Sequence, residues 1–191
     1  MIPWLKQRDI AVLGSDHPQG VNPSATEMPN AVHDFALVTL GVPYLEPGTP
    51  IYIEDIEAWE KKAGVRVSAG DALFVRTGVW PYRAKFGPYV RGRNGRDAGL
   101  DATVLPWLRQ RDVAVLGSDH PQGVNPSATE MPNAVHDFAL VSLGVPLLDN
   151  CDLEALAEAA AARNRWEFMF QTAPLPVRGG TGSPVNPIAT F

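Results

Sequence analysis

Hydrophobic positions along this chain form short continuous runs that alternate with amphipathic stretches, which predicts strands and helices in turn. Continuous apolar runs predict two buried strands, at 71–77 and 113–116, each followed by a glycine. Shorter strands are expected at 51–53, 146–148, 166–175 and 188–191. The alternation of strands and helices indicates an α/β domain.

Helices are predicted where apolar residues recur every three or four positions. The first expected helix follows the extended residues 51–53 and ends at Gly64. The others run from the cap Asp101 onward, over 133–143, and over 153–164 behind the cap Asp152. Residues 81–99, rich in Gly, Arg and Tyr, are expected to form a long ordered loop. Residues 120–132 contain three prolines and predict a second loop at the carboxyl end of the strand 113–116.

An internal repeat organises the sequence. Residues 3–43 recur as 106–146 with three differences, Lys6 against Arg109, Ile10 against Val113 and Thr39 against Ser142. Because unrelated residues 44–105 separate the copies, they cannot stack as adjacent solenoid units. We interpret the repeat as a recent duplication or recombination that ends at Pro43, with an error of sequence assembly as the alternative. The predicted organisation is therefore a duplicated strand-loop-helix segment, 1–43, followed by a portion of 44–191.

Composition narrows the function classes. The net charge of −5 offers no basic surface for nucleic acid or anionic lipid. The single cysteine excludes an internal disulfide framework and a cysteine-cluster zinc site. No apolar run approaches the roughly 20 residues that span a bilayer, and the N-terminus lacks the apolar segment of a secretory signal. We expect a soluble, cytoplasmic protein without membrane or nucleic-acid partners.

All four histidines lie in the repeat, as the pairs His17/His120 and His33/His136. His120 follows Asp119 in the loop after a buried strand, the edge where α/β domains favour ligands. Asp119 could orient the imidazole or bind a metal ion. Alternatively, Asp119 and Asn125 make side-chain turns beside the prolines.

His136 is placed on the helix 133–143. Its neighbour Asp137 points about 100° away around the helix, so the two cannot bind one ion from the same face. Asp149, thirteen residues on and just after a short strand, is one candidate partner. The alternative is a structural histidine held by hydrogen bonds.

The glycine-rich run and the single cysteine are interpreted as structural features without a chemical role. The glycine-rich run 179–183 lacks the Lys-Ser/Thr ending of a phosphate loop and precedes prolines, which favours a tight turn. Cys151 has no base in its local sequence and is expected to be a buried, inert thiol.

The combination of several motifs resembles the cyclase family of metal-dependent hydrolases, which includes bacterial kynurenine formamidases and isatin hydrolase. The stretches that carry the likeness are GDALFVRTG at 70–78, LPWL at 105–108, VAVLGSD at 113–119, VH at 135–136, LLDN at 147–150, DLE at 152–154 and GGTGSPV at 179–185. The likeness covers residues 44–191. It implies a swivelling β/β/α fold, incomplete at its N-terminal half, a divalent zinc or manganese ion, and a homo-oligomer that hydrolyses an amide in a small aromatic or cyclic substrate.

The resemblance also assigns roles to residues. The family's His-x-Gly-Thr-His-x-Asp motif, which supplies three metal ligands, is absent from this sequence. The resemblance implies metal binding by His136 and Asp149. The first copy offers His33, and Glu46, which belongs to a different local sequence, falls thirteen residues after it. The resemblance suggests catalytic roles for His120 and its copy His17.

Two functions from different classes follow from the resemblance. One is an arylformamidase-type hydrolase of tryptophan catabolism that acts on an N-formylkynurenine-like or cyclic amide through a metal-activated water. The other is a non-catalytic, oligomer-forming module without a complete metal site.

Overall fold

The centre of the fold is a mixed β-sheet. The computed structural model describes residues 44–87, 95–129, 131 and 133–191, together with the backbone strand 34–38. The six strands of this sheet are β1 (Asp34–Val38), β3 (Ala72–Val75), β5 (Val115–Ser118), β6 (Leu147–Leu148), β7 (Glu167–Gln171) and β8 (Ile188–Thr190). Their spatial order is β6-β5-β3-β1-β7-β8.

Parallel and antiparallel pairing divide the sheet. The strands β6, β5, β3 and β1 pair in parallel, whereas β7 runs antiparallel to β1 and to β8. A separate parallel ladder joins β2 (Pro50–Ile51) to β4 (Gly99–Leu100). The parallel arrangement brings the carboxyl ends of β3 and β5 side by side, with Val75 opposite Ser118.

Five α-helices connect the strands in the described part of the chain. They are α1 (Ile53–Ala63), α2 (Val79–Phe86), α3 (Leu105–Arg111), α4 (Ala134–Asp137) and α5 (Glu154–Arg163). A 3₁₀ turn, Ala102–Val104, precedes α3, and its cap Asp101 accepts a hydrogen bond from the Thr103 backbone N–H. A π-helical segment, Phe138–Leu143, continues α4.

The side chains of the central strands alternate between two cores, as the two-residue period of a strand requires. Leu73 and Val75 pack into one cluster with Ile56, Leu108 and other buried residues. Ala72 and Phe74 point to the opposite cluster, which α5 covers. No helix among the described residues is long and apolar enough to cross a membrane.

The predicted α/β architecture is confirmed, and one loop prediction is wrong. Buried strands occupy parts of 71–77 and 113–116, and the helix expected at 133–143 begins as α4 and ends as the π-helical segment. Part of 81–99, expected as a loop, instead belongs to α2. Gly78 begins this helix in the left-handed conformation at φ +81°, and Tyr82 packs against Tyr44 with ring centroids 5.3 Å apart. That aromatic partner lies far away in sequence, so the local composition did not indicate it.

Candidate functional site

Asp119 organises the edge of the sheet where β3 and β5 end. It is 0% exposed, and Oδ1 accepts hydrogen bonds from the Thr77 backbone N–H at 2.9 Å and from Thr77 Oγ1 at 2.8 Å. Oδ2 accepts from the backbone N–H groups of Gly78 at 2.7 Å and Val79 at 3.0 Å. The carboxylate therefore satisfies free N–H groups at the start of α2. The alternative of a local side-chain turn at Asp119 is wrong, because the backbone N–H groups that its carboxylate binds lie about forty residues earlier.

His120 is buried beside this carboxylate without a polar partner. His120 is 4% exposed, and neither Nδ1 nor Nε2 of its ring has a hydrogen-bond partner among the described residues. It lines a cleft of about 180 Å³ whose other lining residues include Val79, Arg83, Asp97, Asp119 and Asn150. A buried polar group without a partner is costly, so the two ring nitrogens mark this cleft as a place for a ligand or ordered water.

His136 lies between two carboxylates. Its Nε2 is 3.5 Å from Asp149 Oδ2, and its Nδ1 is 3.5 Å from Asp137 Oδ1. The side chains of His136 and Asp149 are each about a third exposed. The structure thus brings together the two residues that the sequence paired across thirteen positions, and Asp137 faces the other ring nitrogen.

Sequence reasoning missed Gln122, which holds Asp149. The Nε2 group of Gln122 donates to Asp149 Oδ1 at 2.9 Å and to the carbonyl oxygen of Leu148 at 3.0 Å. Gln122 lies two residues after His120, so the same loop carries both. No spacing rule links a glutamine in this loop to a carboxylate 27 residues later.

The His136–Asp149 pair fits half of a divalent metal site. Imidazole nitrogen and carboxylate oxygen are donors that zinc and manganese accept. Two ligands of a tetrahedral zinc ion lie about 3.3 Å apart when each bond is about 2.0–2.1 Å, close to the observed 3.5 Å. However, the described residues include no group of three His, Cys, Asp or Glu side chains that could hold a metal ion.

Among the described residues, Glu46 does not complete this pair. Glu46 is exposed, and its backbone oxygen accepts a hydrogen bond from Thr49. It joins no three-residue metal group within the described ranges. His17 and His33 lie outside the described residues.

Cys151 follows Asn150 but faces a different pocket. It lines an apolar pocket of about 420 Å³ beneath α5, together with Phe74, Phe168 and Phe191. Burial, reinforced by the negative charges of Asp149 and Asp119, raises the pKa of the Cys151 thiol to about 11. The thiol is therefore protonated at neutral pH, which agrees with the expectation of an inert, buried cysteine.

Several solved structures are similar to this chain. A crystal structure of a novel cyclase is 29% identical with a TM-score of 0.70, and the match covers 82% of this chain and 53% of that one. Isatin hydrolase A from Ralstonia solanacearum is 20% identical with a TM-score of 0.66, over 94% of this chain and 66% of that one. An isatin hydrolase bound to the product analogue thioisatinate is 22% identical with a TM-score of 0.59, over 75% and 53%.

This chain spans about half to two thirds of the length of these solved relatives. A comparison with curated protein sequences finds no match. The family model Cyclase, described as "Putative cyclase", matches residues 17–123, which is more than half of the sequence. On this match, the chain belongs to the cyclase family.

Proposed function

We propose that this protein is a metal-dependent hydrolase that cleaves an amide in a small aromatic or cyclic substrate. The observation that carries the proposal is the His136–Asp149 pair, with Nε2 and Oδ2 3.5 Å apart, in a chain of the cyclase family. Asn150 links this pair to the cleft, because it follows Asp149 directly and lines the same cleft as His120.

The metal ion would be held by His136 through Nε2 and by Asp149 through Oδ2. When bound, a divalent ion polarises a carbonyl group and lowers the pKa of a water molecule toward neutrality. A hydrolytic zinc site usually has about three protein ligands and one open position. We assign the missing ligand to His17 or His33, which lie outside the described residues, or to a second copy of the chain in a homo-oligomer.

His120 would act as a general acid or base in the cleft. A neutral imidazole has one N–H donor and one acceptor nitrogen, so it can accept a proton on one side and donate on the other. Arg83 and Asn150, which also line the cleft, carry hydrogen-bond donors for a substrate carbonyl oxygen. Asp119 keeps this loop in place through its bonds to the residues after β3.

The size of the cleft favours a small substrate. Pockets for drug-sized ligands typically measure about 300–1,000 Å³, and this cleft measures about 180 Å³. Among the solved relatives, one isatin hydrolase holds thioisatinate and another, from Labrenzia aggregata, holds benzyl benzoate. Both ligands are aromatic, which supports an aromatic substrate, and we take isatin, a cyclic amide, and N-formylkynurenine of tryptophan catabolism as the two candidates.

Hydrolysis assays on the full chain test the proposal. Isatin and N-formylkynurenine are incubated separately with the protein and Mn²⁺ or Zn²⁺, and product is followed by absorbance. We expect turnover of at least one substrate that EDTA abolishes and that His136→Ala lowers by about 100-fold or more. Absence of turnover on both substrates in a folded chain that binds no metal would contradict the proposal.

A non-catalytic, oligomer-forming module is the second candidate. The observation in its favour is that the described residues contain two of the metal donors and no group of three. This function predicts a chain that pairs with a full-length relative and gains activity through it. A monomeric, metal-loaded chain that turns over substrate by itself would exclude it.

A further inference from the structure

Gln122 is the amide that contacts the proposed metal pair from the interior, and it is 1% exposed. We propose that Gln122 is a positioning residue, which fixes the carboxylate of Asp149 so that Oδ2 is presented to His136. This inference rests on the proposed function, because its consequence is the affinity of the site for a divalent metal ion.

The two hydrogen bonds of Gln122 determine which oxygen of Asp149 stays available. Both donors of its amide group are used, one on Asp149 Oδ1 at 2.9 Å and one on the Leu148 carbonyl at 3.0 Å. Oδ1 is thereby occupied, while Oδ2 lies 3.5 Å from His136 Nε2. Rotation of the carboxylate would break a bond to a charged acceptor, a stronger kind of hydrogen bond than a neutral one.

The orientation of the Gln122 amide follows from the chemistry of its neighbours. Both atoms that it contacts, Leu148 O and Asp149 Oδ1, are acceptors, so a flipped amide would place Oε1 against them. The observed orientation leaves Oε1 without a partner among the described residues. In this orientation the amide donates to both Leu148 O and Asp149 Oδ1, and its own oxygen is the atom left without a partner.

The backbone of Gln122 is held independently of the metal pair. Its carbonyl oxygen accepts a hydrogen bond from the Leu100 N–H at 3.2 Å, and the Val124 N–H donates to the Leu100 carbonyl at 3.0 Å. These bonds attach the loop to β4. The backbone that carries Gln122 is thus held by contacts that do not involve the metal pair, which is what a residue that orients a metal ligand requires.

Metal titration of two variants tests the inference. The dissociation constant for Mn²⁺ is measured by electron paramagnetic resonance on the full chain, its Gln122→Met variant and its Gln122→Glu variant. Methionine has a similar volume without the donors, and glutamate places a carboxylate against two acceptors. We expect Gln122→Met to weaken Mn²⁺ binding about 10- to 100-fold and Gln122→Glu to weaken it at least as much.

The matched control is the same substitution at an exposed glutamine, Gln110→Met on α3, which should leave the Mn²⁺ dissociation constant unchanged. Thermal unfolding is recorded in parallel, because a purely structural role would lower the melting temperature while the folded variants bind Mn²⁺ like the wild type. Binding that His136→Ala abolishes but both Gln122 variants retain would overturn the inference alone. A wild-type chain that binds no Mn²⁺ would overturn the proposed function and this inference with it.

Discussion

A buried aspartate lies at each end of β3, and the two carboxylates differ in their hydrogen bonds. Asp71 directly precedes the strand, whereas Asp119 follows the neighbouring strand β5 and contacts the residues after β3. At the carboxyl end, Asp119 accepts hydrogen bonds from three backbone N–H groups and two hydroxyls. At the amino end, Asp71 is 8% exposed, and among the described residues its carboxylate accepts one hydrogen bond, from the Ser68 N–H at 2.7 Å. Burial, together with the negative charge of Glu167, raises the pKa of Asp71 to about 7.

The difference shows that burial alone does not determine what a carboxylate does for the fold. Several donors make Asp119 a fixed acceptor that joins the loop of β5 to the start of α2. With fewer donors, the charged form of Asp71 is disfavoured, and the residue costs stability at neutral pH. The end of β3 with the converging donors is also the end that carries His120, Gln122 and Asp149.

The largest effect is expected from removal of the Asp119 carboxylate. Asp119→Ala leaves the buried N–H groups of Thr77, Gly78 and Val79 without their acceptor, and each unpaired group costs about 1–3 kcal/mol. We expect a loss of more than about 4 kcal/mol in the free energy of unfolding, measured by urea denaturation. Asp119→Asn keeps one acceptor oxygen and should lose less. Equal stability of Asp119→Ala and the wild type would refute the role of this carboxylate.

At the amino end of β3, removal of the Asp71 carboxylate is expected to raise the free energy of unfolding. Between about pH 4 and pH 7 the folded chain retains a proton on Asp71 that the unfolded chain releases, so this residue lowers stability as the pH rises through that window. Asp71→Asn removes this cost and can still accept the Ser68 hydrogen bond. It should stabilise the protein by at most about 4 kcal/mol at pH 8 and by almost nothing at pH 4. Melting temperatures at both pH values measure this, and a destabilised variant at pH 8 would contradict the account.

A smaller effect is expected where β4 meets the loop that contains Gln122. A Cβ atom on Gly99 would lie 2.8 Å from the backbone carbon of Gly123, so Gly99→Ala must displace the loop. We expect a loss of about 1–3 kcal/mol of stability together with weaker Mn²⁺ binding. Gly182→Ala is the control, because a Cβ there meets no atom within 4 Å among the described residues. Identical behaviour of the two variants would show that the close approach of β4 has no role.

The sequence pattern predicted the strands and the position of the site, but it did not predict the hydrogen bonds within the site. The apolar runs around Leu73 and Leu116 indicated buried strands, and parallel pairing then placed Asp119 and His120 at the edge where their loop was expected. His136 and Asp149 were paired from a helix followed by a short strand. The partners of Asp119 and Gln122 come from residues 42 and 27 positions away, so a one-dimensional pattern contains no signal for them.

The repeat also shows that local sequence does not by itself determine local structure. Asp34–Val38 and residues 137–141 have the identical sequence DFALV. The first is the strand β1, paired with β3 and β7, whereas the second runs from the end of α4 into the π-helical segment. The same five residues thus adopt either structure according to their neighbours, because tertiary pairing outweighs intrinsic propensity.

The central claim is that His136 and Asp149 bind a catalytic metal ion at the carboxyl end of the sheet. Isothermal titration of the metal-stripped full chain with Zn²⁺ tests it most directly, with His136→Ala and Asp149→Asn measured beside the wild type. The account predicts one bound ion per chain and an affinity that either substitution lowers by about 100-fold or more. Binding of equal strength in all three proteins, or no binding by the wild type, would contradict it.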